Sequence, residues 1–469
     1  MEEISRVRGS GNDAKPADDR RYQMSRKLQR RAHEIIPGGA HTYAKGDDQY
    51  PVLAPGFLAK GQGCHVWDVD GHEYIEFGLG NRAIGLGHCF ERVTNAARKA
   101  LDIGCNFTRP TPYEIECAEI FLESIPTAEM VKFCKNGSDA TSGAMRLARA
   151  YTGRERIAIC GDHPFFSTDD WFIGTTPVNS GVPEAIKALT LSFRYGDLED
   201  ARALFDDHPG EIAAVILEPS RGDDPPTGYL AALRELAHEH GALFVLDEMI
   251  TGFRWDLHGG QGLYGVKPDL SCFGKAMANG FSVSALCGKR DIMRLGGLEH
   301  DDRPRVFLLS TTHGAETHAL VAATETMRVY QDEPVIEHLY AMGALLRRET
   351  EAAIARRGMG DFVKIVGRDC CLAFQTLDAD GASSQAFRSL FLQETIRRGI
   401  IAPSLTVSYS HAESDISAAV SAIDGALAIY ERALYDGVEK HLIGRPSHVV
   451  YRRYNLANKA SGLDQPGAQ

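Results

Sequence analysis

An acid and a lysine in the stretch Ala242–Lys275 each close an apolar run. The run ALFVL leads into Asp247-Glu248, and PDLSCFGK ends on Lys275. Parallel α/β sheets gather their ligands at the carboxyl ends of strands, so two such strands would deliver both groups to one edge. A partly neutral lysine amine can add to an aldehyde. A carboxylate beside a pyridine nitrogen keeps the ring protonated and electron-withdrawing. Together they are what a pyridoxal phosphate (PLP) site needs. Burial beside a cationic cofactor would lower the lysine pKa, and the flanking Gly274 and Ala276 leave room for a bulky Schiff base. A lone lysine is ordinarily a solvated surface charge and a lone aspartate a helix N-cap. The apolar run before each argues against both readings, while Glu248 could serve structure alone.

Other candidates sit on neighbouring segments. Asn136-Gly137-Ser138 follows a short strand, Val131–Cys134, and precedes a helix expected over Ala140–Tyr151. Strand, small polar residues and helix start form an anion site, because free N–H groups and the helix dipole favour negative charge there. Ser138 or Asp139 could equally be a plain N-cap. After the strand Arg156–Cys160 comes GDHPFFSTDDWF, where His163, Phe165 or Phe166 could stack on a flat cofactor or simply pack the loop. Glu218 ends a further strand. Arg82, Arg109, Arg221 and Arg254 could each clamp a substrate carboxylate or phosphate, although most arginines only meet solvent.

The elements that must hold these groups alternate strand and helix, which indicates a mainly parallel sheet covered on both faces. The Gly-rich stretch Gly78–His88 does not fit GxGxxG and is expected as a loop where backbone approaches a ligand or another subunit. A short strand is expected at Leu308–Thr312, helices at His313–Tyr330 and Pro334–Arg356, and a second small sheet from Val363–Val366 and Cys371–Thr376. The expected layout is a disordered 1–20, an N-terminal segment 21–75 joining a small domain, a large domain 76–320, the C-terminal part of the small domain 321–457, and a loose tail 458–469. With 469 residues, 43% apolar and 24% charged, the chain is long enough for two domains. The net charge of -12 argues against nucleic acid or anionic membrane partners. No apolar run would span a bilayer, and the N-terminus lacks a signal-peptide core. Ten cysteines without a CxxC pair suggest a reduced, cytoplasmic protein. No HExxH, calcium loop or cysteine–histidine cluster at zinc spacing is present, so no metal is expected.

LDEMITGFR (Leu246–Arg254) followed by PDLSCFGK (Pro268–Lys275) resembles the class III PLP-dependent aminotransferases, and within them the glutamate-1-semialdehyde 2,1-aminomutase group. IPGG at Ile36–Gly39, DVDGHEYIEF at Asp68–Phe77, LGH at Leu86–His88, NGSDAT at Asn136–Thr141 and STTHGAET at Ser310–Thr317 extend the likeness over roughly residues 22 to 435. The resemblance implies an α/β, fold-type-I transferase with a large PLP domain and a small α+β domain from both chain ends. It also implies a homodimer with shared active sites, an amino donor and a carbonyl acceptor. Lys275 would carry the Schiff base, Asp247 the pyridine nitrogen, and Asn136, Gly137 and Ser138 the phosphate. Thr312, or else Thr311, would reach the partner subunit's cofactor. Glu218 would stand in the active-site wall, and Met249 behind the ring where a smaller apolar residue often packs. Two segments depart from the family. Its Tyr-His-Gly is here Asp162-His163-Pro164, with Phe165 as the preferred stacking ring and His163 the rival. Its Gly-Asn-Pro after the threonine is here Gly314-Ala315-Glu316. Both bear on the substrate, so aminotransfer between two molecules is expected ahead of an intramolecular amino shift. A catalytically idle binding protein is the reading of another class.

Overall fold

The computed structural model describes residues 21–299 and 303–452. The expectations of disorder in 1–20 and of a loose tail in 458–469 lie outside the described residues. The chain divides into two compact units, one from residues 21–81 with 341–448 and the other from 82–340 with 449–452. The helix Thr317–Asp332, which the expected boundary at 320/321 divides, lies wholly in the larger unit. Its buried face of Ala319, Leu320, Ala323 and Met327 packs on the helices Glu91–Leu101 and Pro112–Ser124.

The smaller unit opens with a helix, Gln23–Ile35, stopped at Pro37-Gly38-Gly39, where Gly38 and Gly39 turn left-handed. An antiparallel meander follows: β1 (Leu58–Gln62), β2 (His65–Asp68) and β3 (Glu73–Glu76). The β2–β3 turn falls at the expected Asp70-Gly71, with Gly71 at φ 91°.

The larger unit holds β4 (Met130–Cys134), β5 (Arg156–Cys160), β6 (Thr190–Phe193), β7 (Ile212–Leu217), β8 (Leu243–Asp247), β9 (Leu270–Phe273) and β10 (Ser284–Gly288). They form one sheet in the order β4-β10-β9-β8-β7-β5-β6. Only β10 runs antiparallel to its neighbours. The central strands β7, β8 and β9 are buried at every residue, as strands covered on both faces must be. One face packs on Ala144, Met145, Leu147 and Ala148 of the helix Gly137–Thr152, the other on Leu230, Leu233 and Leu236 of Tyr229–Glu239.

The C-terminal part of the smaller unit adds the hairpin β11 (Val363–Val366) and β12 (Ala373–Thr376). A short β13 (Ile400–Ile401) joins the meander parallel to β3, so the two ends of the chain share one sheet. No strand forms at Leu308–Thr312. Leu308 and Leu309 instead bury against Gly296 and Gly143, where any side chain would collide with them. The helix expected from His313 begins at Thr317, because residues 312–315 form a turn. Among the described residues no helix is long and apolar enough to cross a membrane.

Candidate active site

Three parallel strands end side by side at one edge of the large sheet: β7 at Glu218, β8 at Asp247, and β9 just before Gly274-Lys275. Asp247 and Glu218 are each 3% exposed. Lys275 opens a 3₁₀ turn, Lys275–Ala278, with φ at 49°. A left-handed backbone at a residue other than glycine is strained and persists where the surroundings impose it. Burial pulls the Lys275 amine below the usual lysine range, against the opposing fields of Asp247 and Glu218. Burial pushes the Asp247 carboxyl up, helped by Glu218 and opposed by Lys275 and the Met249 N–H. That N–H donates to Asp247 Oδ1 at 3.0 Å.

Met249 is wedged between two of the predicted elements. A Cβ on Gly137 or on Gly274 would lie 2.8 Å from its sulfur. The start of the helix Gly137–Thr152 and the lysine turn therefore meet on one thioether, and both positions need glycine for space. Asn136 spends its side chain as the N-cap: Oδ1 accepts from the Asp139 N–H, and the Asp139 carboxylate accepts from the Asn136 N–H, each at 3.2 Å. Ser138 is buried and accepts from the Thr168 N–H at 3.0 Å. The capping alternative is thus realised by Asn136, while the Gly137 and Ser138 N–H groups occupy the first turn.

The wall beside β7 is polar. Glu218 Oε1 pairs with Arg221 at 2.5 Å. Its Oε2 is buried without a partner among the described residues. The Glu218 N–H donates to His163 Nδ1 at 3.0 Å. Burial holds the His163 imidazole below the usual histidine range, so the ring is neutral near pH 7 with its proton on Nε2. His163 is 5% exposed, packed between Tyr195 and Phe166. Phe165, the preferred ring in the sequence reading, is 43% exposed and sets its edge on Phe172.

The arginines separate by position. Arg254 is fully buried and donates to the Ile250 and Arg82 carbonyls. It braces backbone and is not available as a substrate clamp. The Arg82 carbonyl it holds ends a run of four residues, Leu79–Arg82, all at positive φ. Arg82 and Arg221 both bear on the Lys275 charge, and Arg82 Nε is buried without a partner among the described residues. Arg109 is exposed, and so are Thr311 and Thr312.

The sequence reading missed Asn279. In a left-handed conformation at φ 43°, it accepts from the Leu86 N–H at 2.9 Å and donates to the Gly87 carbonyl at 3.0 Å. It thereby ties the Gly-rich loop to the lysine turn. Asn-Gly at 279–280 was the available signal, since asparagine before glycine marks left-handed turns. Gly85 of the same loop lies so close that a Cβ would meet the Tyr330 hydroxyl and Ala276. This loop thus closely approaches the lysine turn of its own chain, where an approach to a ligand or another subunit was expected. Glu248, also fully buried, accepts from the Gly260 and Gln261 N–H groups and the Thr251 hydroxyl, a structural role.

The sequence profile of the class-III aminotransferases matches residues 43–376. This chain belongs to that family. It is 33% identical over 423 residues to the glutamate-1-semialdehyde 2,1-aminomutase of Desulforamulus reducens, covering 86% of this chain and 96% of the relative. Its fold is similar to that of the Sphingopyxis FumI protein, solved in a PLP internal aldimine form (TM-score 0.80, 28% identity, 90% and 98% of the two chains). It is also similar to an omega-transaminase from Sphaerobacter thermophilus (TM-score 0.77, 26% identity, 87% and 97%).

Proposed function

We propose that this family member is a PLP-dependent aminotransferase that moves an amino group from a donor such as an amino acid to a keto or aldehyde acceptor. The observation that carries the reading is the convergence of buried Asp247 and Glu218 with the strained Lys275 on one sheet edge. The residues present fit PLP. Glu218 Oε2 is a buried acceptor with no partner among the described residues. Glycine at 137 and 274 lets the helix start and the lysine turn both close on the Met249 side chain, which brings the candidate phosphate turn to the lysine. PLP, when bound, supplies an aldehyde for amines to condense with and a ring that withdraws electrons from the bond to be broken.

The chain's own groups divide the remaining work. Lys275 would hold the cofactor and, with its amine free, would move the proton at the donor's Cα. Asp247 would pair with the ring nitrogen and, as a carboxylate, keep it protonated. The Gly137 and Ser138 N–H groups at the helix start would hold the phosphate. We assign the stacking ring to His163, which is buried and bound to the Glu218 backbone, whereas Phe165 is 43% exposed. Arg82 and Arg221 are the candidates for a substrate carboxylate.

A homodimer with shared sites is part of the proposal. Asn106 donates to the Thr312 carbonyl at 3.0 Å, and its neighbour Phe107 is exposed. An exposed apolar group next to a candidate site residue suits a subunit interface, from which Thr312 would reach the partner subunit's cofactor. A cytoplasmic location accompanies this reading.

A second reading, an intramolecular amino shift, is favoured by the mutase named among the relatives. The departures at Asp162–Phe165 and Gly314–Glu316 keep us with transfer between molecules. Purified protein given glutamate or alanine should release free keto acid. Turnover of an amino-aldehyde alone, with no keto acid, would reject transfer in favour of the shift. A colourless protein after PLP is supplied, with Lys275→Ala behaving identically, would reject both.

A further inference from the structure

Three potential metal ligands meet in the smaller unit. Cys64 and His65 stand at the start of β2, and Asp415 lies in the first turn of the helix Glu413–Asp436. The Cys64 sulfur, one His65 ring nitrogen and one Asp415 carboxylate oxygen all lie within 4.8 Å of one another. Cys64 Sγ is 3.4 Å from Asp415 Oδ2, and His65 Nε2 is 3.2 Å from Asp415 Oδ1. Ligand atoms set tetrahedrally around zinc at its usual bond lengths are roughly 3.3–3.8 Å apart. The two measured edges, which run to the two oxygens of the one Asp415 carboxylate, are close to that spacing.

The groups around the three atoms are arranged as a metal site requires. His65 Nδ1 is 2.9 Å from Glu73 Oε1, which fixes the ring and leaves Nε2 as the ligand nitrogen. A carboxylate behind a ligating histidine orients it and raises its basicity. The Asp415 carboxylate is held in turn, with Oδ2 accepting from the Ala412 N–H at 2.8 Å. Cys64 is 1% exposed, while His65 keeps a third of its side chain at the surface, so a cation has a way in. A thiolate, an imidazole and a carboxylate form a borderline-soft set with one open position, which suits zinc better than magnesium or calcium.

We propose that Cys64, His65 and Asp415 bind a divalent transition metal of zinc type, with water as the fourth ligand. Binding releases the Cys64 thiol proton to solvent, so affinity rises with pH. The ion joins the N-terminal meander to the C-terminal helix across 350 residues of chain. Clips that close long loops constrain the unfolded chain most. The site is a staple of the smaller unit.

The untagged holoenzyme, stripped by chelator and dialysed against zinc, should retain one zinc per chain and unfold at higher temperature than the stripped form. Cys64→Ser and His65→Gln should retain none and show no thermal response, and Glu73→Gln should bind about 10- to 100-fold more weakly. Cobalt in place of zinc should give a thiolate-to-metal absorption band that Cys64→Ser lacks. Wild-type holoenzyme that holds no stoichiometric zinc would overturn the proposal, whatever the variants do. Equal binding by Cys64→Ser would overturn it too, and would point to the exposed Cys89 and Cys105.

Discussion

Asn279→Ala is the substitution that most directly tests how the lysine turn is held. Asn279 is 7% exposed, and its side chain serves the N–H of Leu86 and the carbonyl of Gly87, both buried. Alanine leaves each without its partner, at about 1–3 kcal/mol apiece. It also places a residue with no compensating side chain at φ 43°, which costs about 1–2 kcal/mol. Relaxation and entering water return part of this, so a destabilisation of about 3–5 kcal/mol is expected. Asn279→Gly removes the same two hydrogen bonds but none of the left-handed freedom, and should be milder than alanine by about 1 kcal/mol. Urea unfolding followed by circular dichroism and by cofactor release measures both variants. Weaker PLP affinity should accompany the stability loss, because the Gly85–Gly87 loop rests on the turn that carries Lys275. Variants within about 0.5 kcal/mol of wild type would refute the tie. Alanine and glycine variants of equal stability would refute the strain component alone.

Three further outcomes follow from the same geometry. Burial pushes the Glu248 carboxyl up to about 7. Since its folded pKa lies above the unfolded one near 4.5, its contribution is fully present below that value and is lost as pH rises through about 7. Wild type should therefore lose about 3 kcal/mol relative to Glu248→Gln between pH 4.5 and 7, and denaturation midpoints that run parallel across that window would contradict the assignment. His163→Ala should weaken PLP binding up to about tenfold through the lost ring contact, whereas Phe165→Ala should leave it within about twofold, and the reverse order in cofactor titrations would restore Phe165 as the stacking ring. Mixing inactive Lys275→Ala with inactive Thr312→Ala subunits should recover up to about a quarter of wild-type activity, because half of the reassorted dimers carry one intact shared site. A mixture that stays inactive although dimers exchange would place both residues in the same subunit's site.

The groups legible in the sequence were those whose roles depend on short-range context. Asp247 and Lys275 follow apolar runs, and such runs become central strands of a parallel sheet whose carboxyl edge is the site. Gly78–His88 was expected to approach a ligand or another subunit, and its intrachain approach to Ala276 and Tyr330 depends on how the helix Thr317–Asp332 packs. The arginines were not separable by type. Arg254 looks like any basic residue after a loop, and only tertiary packing puts its guanidinium on the Ile250 and Arg82 carbonyls. Periodicity failed at Leu308–Thr312 for a related reason. An apolar pair there can pair in a sheet or pack on glycines of a neighbouring helix, and local pattern does not distinguish the two. The Cys64–His65–Asp415 cluster lies beyond spacing rules altogether, since its ligands come from the two ends of the chain. Where two chain ends build one unit, contacts of the longest sequence separation are the ones that set its stability. They are also the ones a motif scan cannot see, so new chemistry in this protein is best sought in that unit, away from the edge its family already marks.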